Sequence, residues 1–313
     1  MAVDLFPGFA ERQVPTARGD VFARVGGTGP AVLLLHGYPQ DHRMWRGVAP
    51  ALAEACTVVV ADLPGYGGSF RPTPAPDHRP HGKRALALDL VEAMRGLGHE
   101  RFVVAGHDRG GRVAYRMALD HPDRVLAAAA LDVVPTGEVW SRADAAMALA
   151  YWHWGFLAQP APLPERLIAA DPDAFFDHHV RRLGLGADPE RYPPPLVAAY
   201  RQILDDAGVV EAICEDYRAG ATVDRDDDDA DHGQRRIACP LLVLWSATGA
   251  LPRFYGDVLG VWRPWADDVR GWGVHASHFL VEDDPEQVLH ALADLVAGLP
   301  RHDPLTNEET RTP

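Results

Sequence analysis

Positive charge is scarce in this chain: 30 Lys and Arg stand against 44 Asp and Glu, a formal net charge of −14 over 313 residues. That balance argues against nucleic acid and anionic membrane surfaces as partners, and any anion site must be locally basic against a repelling field. Cysteine is scarcer still. Cys56, Cys214 and Cys239 are an odd number without metal-ligand spacing, which argues against a disulfide framework and fits a reducing cytosol. No stretch approaches the ~20 apolar residues of a membrane span. The start, Met-Ala-Val-Asp-Leu-Phe-Pro-Gly-Phe-Ala, has neither the basic region nor the sustained apolar segment of a signal peptide. There is no internal repeat and no Gly-rich phosphate loop. A cytoplasmic protein without metal or cofactor is expected, its partner a small molecule.

Apolar residues are plentiful, at 47% enough to bury a large core in one domain plus an insertion, or in two small domains. Residues 12–26 read as two short strands before the Gly26-Gly27-Thr28-Gly29-Pro30 turn. Buried strands are expected at 31–35, 57–60, 102–105 and 125–131, with helices over 44–55, 83–96 and from about Arg109. Such alternation indicates a mostly parallel, doubly wound α/β sheet with ligands beyond the carboxyl ends of its strands. After Pro135 the alternation stops. Residues 136–235, helical stretches broken by Pro-rich turns, read as a cap inserted between two parts of the core, 1–135 and 236–313. The run Asp226 to Asp229, with Asp224 and Asp231 nearby, reads as a solvated loop closing that cap. A strand over 240–245 resumes the sheet, a helix over 285–297 follows, and residues 300–313 read as a frayed tail.

The chemistry gathers between Arg101 and Arg112. The β-branched run Phe102 to Ala105 ends at Gly106, a helix opens near Arg109, and Asp108 sits between with Gly106 and Gly110 two residues to either side. This is the small-x-nucleophile-x-small pattern of a strand–turn–helix elbow, with Asp where a serine hydrolase carries Ser. Arg109 and Arg112, three apart on one helix face, oppose the helix dipole at roughly 0.3–1 kcal/mol each. A sequence that accepts this twice is expected to hold an anion there. The blander alternative makes Asp108 an N-cap and both arginines solvated.

An elbow nucleophile needs a base, and an acid to set the tautomer of that base. His278 comes late enough, with His275 as competitor; His278 is favoured because it abuts Phe279-Leu280 before the final helix. After Trp245 the chain reads Ser246-Ala247-Thr248-Gly249, without a carboxylate, so the acid is Asp132, after Leu131. The amides of Tyr38, after His36-Gly37, and of Arg109 are candidate oxyanion donors, and His36 itself reads as structural. A carboxylate attacking a carbonyl would give an anhydride and gain little. Attack on a saturated carbon gives an ester that His-activated water can cleave. Dehalogenation and epoxide opening fit; ester, amide and lipid hydrolysis do not.

At this point the chain resembles the haloacetate dehalogenases of the α/β-hydrolase superfamily, and among them the fluoroacetate dehalogenases. The likeness covers nearly the whole chain outside its tails and part of the cap. It rests on His36-Gly37-Tyr38-Pro39, Gly106-His107-Asp108-Arg109-Gly110-Gly111-Arg112, Leu131-Asp132 and Ser277-His278-Phe279-Leu280. More specific are the cap segments from Tyr151 to Pro160 and from Cys214 to Gly220. The resemblance implies that Asp108 displaces halide, that Asp132 and His278 drive hydrolysis of the ester, and that Arg109 and Arg112 hold the substrate carboxylate. His153, Trp154 and Tyr217 would donate hydrogen bonds to the departing halide, as imidazole, indole and phenol can. The implied reaction converts fluoroacetate or chloroacetate to glycolate and halide without a cofactor; relatives are often homodimers. One stretch departs: Asp177 to Gly186 has no aromatic where family members often carry a tryptophan, which bears on pocket size. His178-His179 reads as a surface pair, since helical neighbours point about 100° apart.

Two rivals stand beside this reading. An epoxide hydrolase shares the Asp nucleophile and would polarise its epoxide with Tyr217 and Tyr151 or Tyr200, but has no use for Arg109 and Arg112. A ligand-binding module on the same scaffold has no need of three filled catalytic positions.

Overall fold

The computed structural model of the chain describes residues 4–299; the tail expected from 300 lies outside them. Short apolar runs form the strands β1 (Ala10–Pro15), β2 (Asp20–Gly26), β3 (Ala31–Leu35), β4 (Thr57–Ala61), β5 (Phe102–His107), β6 (Val125–Leu131), β7 (Leu241–Ser246) and β8 (Val269–Val274). They make one 8-stranded sheet in the order β1-β2-β4-β3-β5-β6-β7-β8. The pairs β1/β2 and β2/β4 are antiparallel and the others parallel. Helices α1 (Ala49–Leu52), α2 (Lys83–Gly96) and α3 (Arg109–Asp120) connect the first strands. Between β6 and β7 run α4 (Thr136–Ser141), α5 (Ala145–Ala150), α6 (Trp152–Leu157), α7 (Leu163–Ala170), α8 (Pro172–His179), α9 (Pro194–Gln202), α10 (Ala207–Ala221) and α11 (Val223–Asp231). Then α12 (Ala250–Tyr255) and α13 (Val258–Trp262) precede β8, and α14 (Leu280–Asp283) and α15 (Pro285–Ala297) follow it.

Both faces of the sheet are buried. Leu33, Leu35, Phe102 and Val104 pack with Leu90 of α2 and Val113 and Met117 of α3. Their alternates Val32, Leu34, Val103 and Ala105 pack with Leu52 of α1 and Val288 and Leu292 of α15. Two covered faces are why these strands read as unbroken apolar runs rather than as alternation. The strand order turns at β3: β4 lies on one side of it and β5 on the other. The loops after β3 and β5 therefore face each other across the switch point where ligands bind in such sheets.

Three expectations are corrected. The helix over 44–55 is split into a 3-10 turn, His42–Gly47, and α1; Pro50 lacks the N–H and crowds the preceding turn that a continuous helix would need. The strand β8 was not expected, because Gly271 and Gly273 weaken its pattern; a Cβ at Gly271 would collide with the Val243 carbonyl. The acidic run is not a solvated loop but helix α11, with Asp224, Asp228 and Asp231 buried at i, i+4 and i+7. Asp228 accepts from the Tyr115 hydroxyl at 2.7 Å and the Gly137 amide at 2.9 Å, and burial pushes its carboxyl up to about 7. Asp231 pairs with Arg116, and Asp224 accepts from the Lys83 amide at 2.7 Å. Cys56, Cys214 and Cys239 are free. No helix among the described residues is long and apolar enough to cross a membrane.

Candidate active site

β5 delivers Asp108 into a backbone conformation, φ 46° and ψ −115°, that costs a non-glycine residue of order 1–3 kcal/mol. The surroundings impose it. The Asp108 amide donates to Leu131 O at 3.1 Å, and its carbonyl accepts from the Arg112 amide at 3.1 Å. A Cβ at Gly106 or Gly110 would run into the backbone of Gly110 or His36, and one at Gly37 would stand 2.5 Å from the Asp108 Cβ. The elbow thus needs a third glycine, supplied by the loop after β3. The Asp108 side chain makes no N-cap bond; its Oδ2 accepts instead from the Tyr38 amide at 3.1 Å. Burial favours the neutral acid, but His278, Arg109, His107 and Arg112 outweigh it and hold the carboxyl below its ordinary value.

Asp132, at the end of β6 and also left-handed with φ 53°, is held from both sides. Its Oδ1 accepts from the Ser246 amide at 2.9 Å and its Oδ2 meets His278 Nδ1 at 2.7 Å. The strand that carries no carboxylate, β7, thus contributes an amide to the carboxylate of its neighbour. Burial opposes a charged His278, but the hydrogen bond and charge of Asp132, with Asp108 behind, raise its pKa. His107 Nε2 donates to the His278 carbonyl at 2.8 Å; burial lowers the His107 pKa to about 4, so the ring is neutral. His275 is exposed. His36 is a buried brace whose Nε2 accepts from the Leu63 amide at 3.0 Å.

The two arginines are buried and differently held. Arg109 donates from Nε to Asp216 Oδ2 at 2.6 Å and from Nη2 to Asp216 Oδ1 at 2.9 Å. Asp216 is also bound by Lys83 and by the Tyr66 hydroxyl at 3.2 Å. Among the described residues Arg112 meets only neutral acceptors, Val134 O at 2.9 Å and Thr136 Oγ1 at 3.2 Å. Among the described residues Arg109 Nη1 and Arg112 Nε have no hydrogen-bond acceptor, although a buried cationic donor is costly unless paired. Both guanidiniums lie over the ring of Trp154, at 5.8 and 4.6 Å, and Arg109 lies 4.3 Å over Tyr217. The Arg109 amide opens α3, where first-turn N–H groups have no intrahelical acceptor.

His153 and Trp154 on α6 and Tyr217 on α10 are buried, their ring centroids 5.8 and 6.0 Å from Tyr217. Burial, then the charge of Asp108, raises the Tyr217 pKa well above its ordinary value, so the hydroxyl stays a donor. Burial does the same for Tyr151, which also feels Asp132 and Asp108. The surface pair is corrected: His178 is exposed, but His179 is buried, 4.0 Å from the ring of His153 and stacked on Tyr38 at 5.5 Å. The signal was there, since Phe176, His179 and Val180 follow helical spacing. An imidazole thus occupies the stretch expected to lack an aromatic. Tyr200 is engaged elsewhere, its hydroxyl 3.2 Å from Glu282. A tight group, Asp41, His42 and Asp62, is satisfied internally: Arg43 takes Asp41, while the His42 and Gly68 amides and His42 Nδ1 take Asp62.

An aspartate elbow, a His–Asp pair and an open sheet switch point define one class of protein. The family model described as the α/β hydrolase fold matches residues 30–248, and the chain belongs to the α/β-hydrolase family. Within it the chain is similar to fluoroacetate dehalogenase of Burkholderia sp, 44% identical over 294 residues, 94% of this chain and 95% of the relative. It therefore groups with the fluoroacetate dehalogenases, hydrolases of carbon–halide bonds. Among solved structures, an α/β hydrolase from Nostoc sp PCC 7120 superposes with a TM-score of 0.88 at 44% identity, covering 93% of this chain and 98% of that one. A Pseudomonas aeruginosa protein described as an epoxide hydrolase superposes at 0.86 with 45% identity, covering 95% and 98%.

Proposed function

We propose that the chain hydrolyses haloacetates, fluoroacetate and chloroacetate among them, to glycolate and halide, with the helices of 136–235 as a cap over the site. The observation that carries this is the pair of buried guanidinium donors, Arg109 Nη1 and Arg112 Nε, left without acceptors beside the Asp108 elbow. A substrate carboxylate would fill them and set carbon 2 before the nucleophile.

Asp108 Oδ2 is tied to the Tyr38 amide, so Oδ1 is the attacking oxygen. It forms a bond to carbon 2 as the carbon–halogen bond breaks, and the electron pair leaves with halide toward His153, Trp154 and Tyr217. Three donors suit fluoride, whose charge develops as it departs. Water then adds to the ester carbonyl at Asp108 and gives its proton to His278, which Asp132 orients. The oxyanion forms on Oδ2 against the amides of Tyr38 and Arg109. Collapse expels glycolate, which takes the proton from His278. The regained Asp108 carboxyl ionises, so each turnover releases one halide and one proton.

The test is halide release from fluoroacetate and chloroacetate by wild type and Asp108→Ala. Release of both by the wild type, lost in the variant, is expected. Chloride without fluoride would keep the mechanism and narrow the substrate; neither halide would overturn the reading. The second reading, epoxide opening, draws on Tyr151 and Tyr217, both neutral donors beside Asp108, and hydrolysis of an epoxide by a chain silent on haloacetates would favour it. A homodimer, as in many relatives, and a cytoplasmic location, which three free cysteines suit, belong to the same reading.

A further inference from the structure

Glu282 takes no part in the chemistry above, yet its side chain is fully buried four residues after His278. Its Oε2 accepts from Gln40 Nε2, and its Oε1 from Arg46 and, at 3.2 Å, from the Tyr200 hydroxyl of α9. Gln40 is also fully buried, and its amide donates to Gly37 O at 2.9 Å, closing the turn that aims the Tyr38 amide at Asp108. The neighbouring Asp283 works in parallel: it accepts from the Ser277 amide at 2.7 Å and from the Tyr192 hydroxyl at 2.6 Å. One carboxylate thus joins the turn that carries an oxyanion donor, the loop that carries the base, and the inserted helices. Burial pushes this carboxyl up to about 7, and replacing a buried ionic group by well-packed apolar residues is often neutral or stabilising. Packing alone is therefore a poor reason for an acid here.

The geometry points to Glu282 as a positioning residue for the ester-hydrolysis step, acting through Gln40 to hold the Tyr38 amide against Asp108 Oδ2. This rests on the dehalogenase reading. The two half-reactions ask opposite things of that amide. In the first, negative charge leaves the Asp108 carboxylate, so a hydrogen bond to Oδ2 weakens. In the second, a full charge arrives on Oδ2, and only there does the donor lower the barrier. A loosened turn should slow hydrolysis and spare halide displacement.

The experiment is single-turnover chloroacetate and fluoroacetate kinetics on wild type, Glu282→Leu and Gln40→Ala, reading halide release and, by mass spectrometry of quenched protein, the carboxymethyl ester on Asp108. Expected is halide release within about threefold of wild type, ester hydrolysis slowed about tenfold or more, and ester accumulating in both variants. Equal slowing of both steps, or no change in either, overturns the assignment. If Glu282→Leu does not fold, Gln40→Ala decides alone, since it breaks the same link with the Glu282–Arg46 pair intact. A wild type that releases neither halide sinks the dehalogenase reading instead, which separates the two failures.

Discussion

The two walls of the site are built by different means. On the sheet side, Asp108 and Asp132 are aimed by backbone: left-handed φ values of 46° and 53°, amides of Tyr38 and Ser246, and glycines that admit no Cβ. On the facing side, His153, Trp154 and Tyr217 of the inserted helices, and the α3 arginines Arg109 and Arg112 that they cover, are held mainly by other side chains, through Asp216, Thr136 and stacked rings. Backbone placement varies little with side-chain identity, whereas a wall of side chains is re-cut by single substitutions. The sheet side should therefore govern whether the reaction runs, and the facing side what it runs on.

The largest effect expected breaks the sheet side. Asp132→Asn should lower turnover about a thousandfold or more, because the imidazole loses both its orienting acceptor and the charge that stabilises imidazolium. The same variant carries a pH signature. His278 must be neutral to take the proton of water, and Asp132 raises its pKa over that of an ordinary histidine, so the rate should rise with pH along an acid limb displaced upward from the usual histidine position. Asp108 is held below its ordinary value and cannot be the source of that limb. With Asp132 neutralised, burial is the main remaining influence, and the limb should move to lower pH. A limb that stays put in the pH–rate profile would mean that another group sets it.

The next comparison lies within the arginine pair. Arg109 has Asp216 for a counter-charge, while Arg112 has no ion pair among the described residues. Removing one partner of a buried pair costs about 3–5 kcal/mol, so Arg109→Gln should lose stability as well as binding. Arg112→Gln should raise KM for haloacetate about a hundredfold with the smaller fall in melting temperature. Equal melting losses in the two variants would show that the pair is held alike.

The same division decides what could be read from the sequence. The elbow, Asp132 and His278 are legible because local pattern carries them: β-branched runs, flanking glycines and position after a strand. Helix α11 is hidden because four aspartates in a row look solvated, and the partners of its buried Asp228 and Asp224, namely Arg116, Tyr115 and Lys83, lie over a hundred positions away. The unequal holding of Arg109 and Arg112 was hidden for the same reason, since Asp216 lies 107 positions from Arg109. Asp216 stood within a recognised segment, but nothing local marked it as a counter-ion. His179 is masked by its neighbour His178, although adjacent helical residues point about 100° apart and one of the two can face inward.

His179 sharpens the comparison with the smallest effect. Its ring lies between His153 and Tyr38, so His179→Ala should leave a gap beside the proposed halide donor His153 without touching the Asp108–Asp132–His278 group. Fluoride is small and strongly hydrated, and its departure depends on donors held close; chloride needs less. Loosening His153 should lower kcat/KM for fluoroacetate more than for chloroacetate, shifting their ratio about tenfold, roughly 1.4 kcal/mol of differential barrier. The check is the ratio of the two kcat/KM values beside a thermal melt. A lower melting temperature with an unchanged ratio would make His179 packing alone, and would move control of the leaving group back to Trp154 and Tyr217.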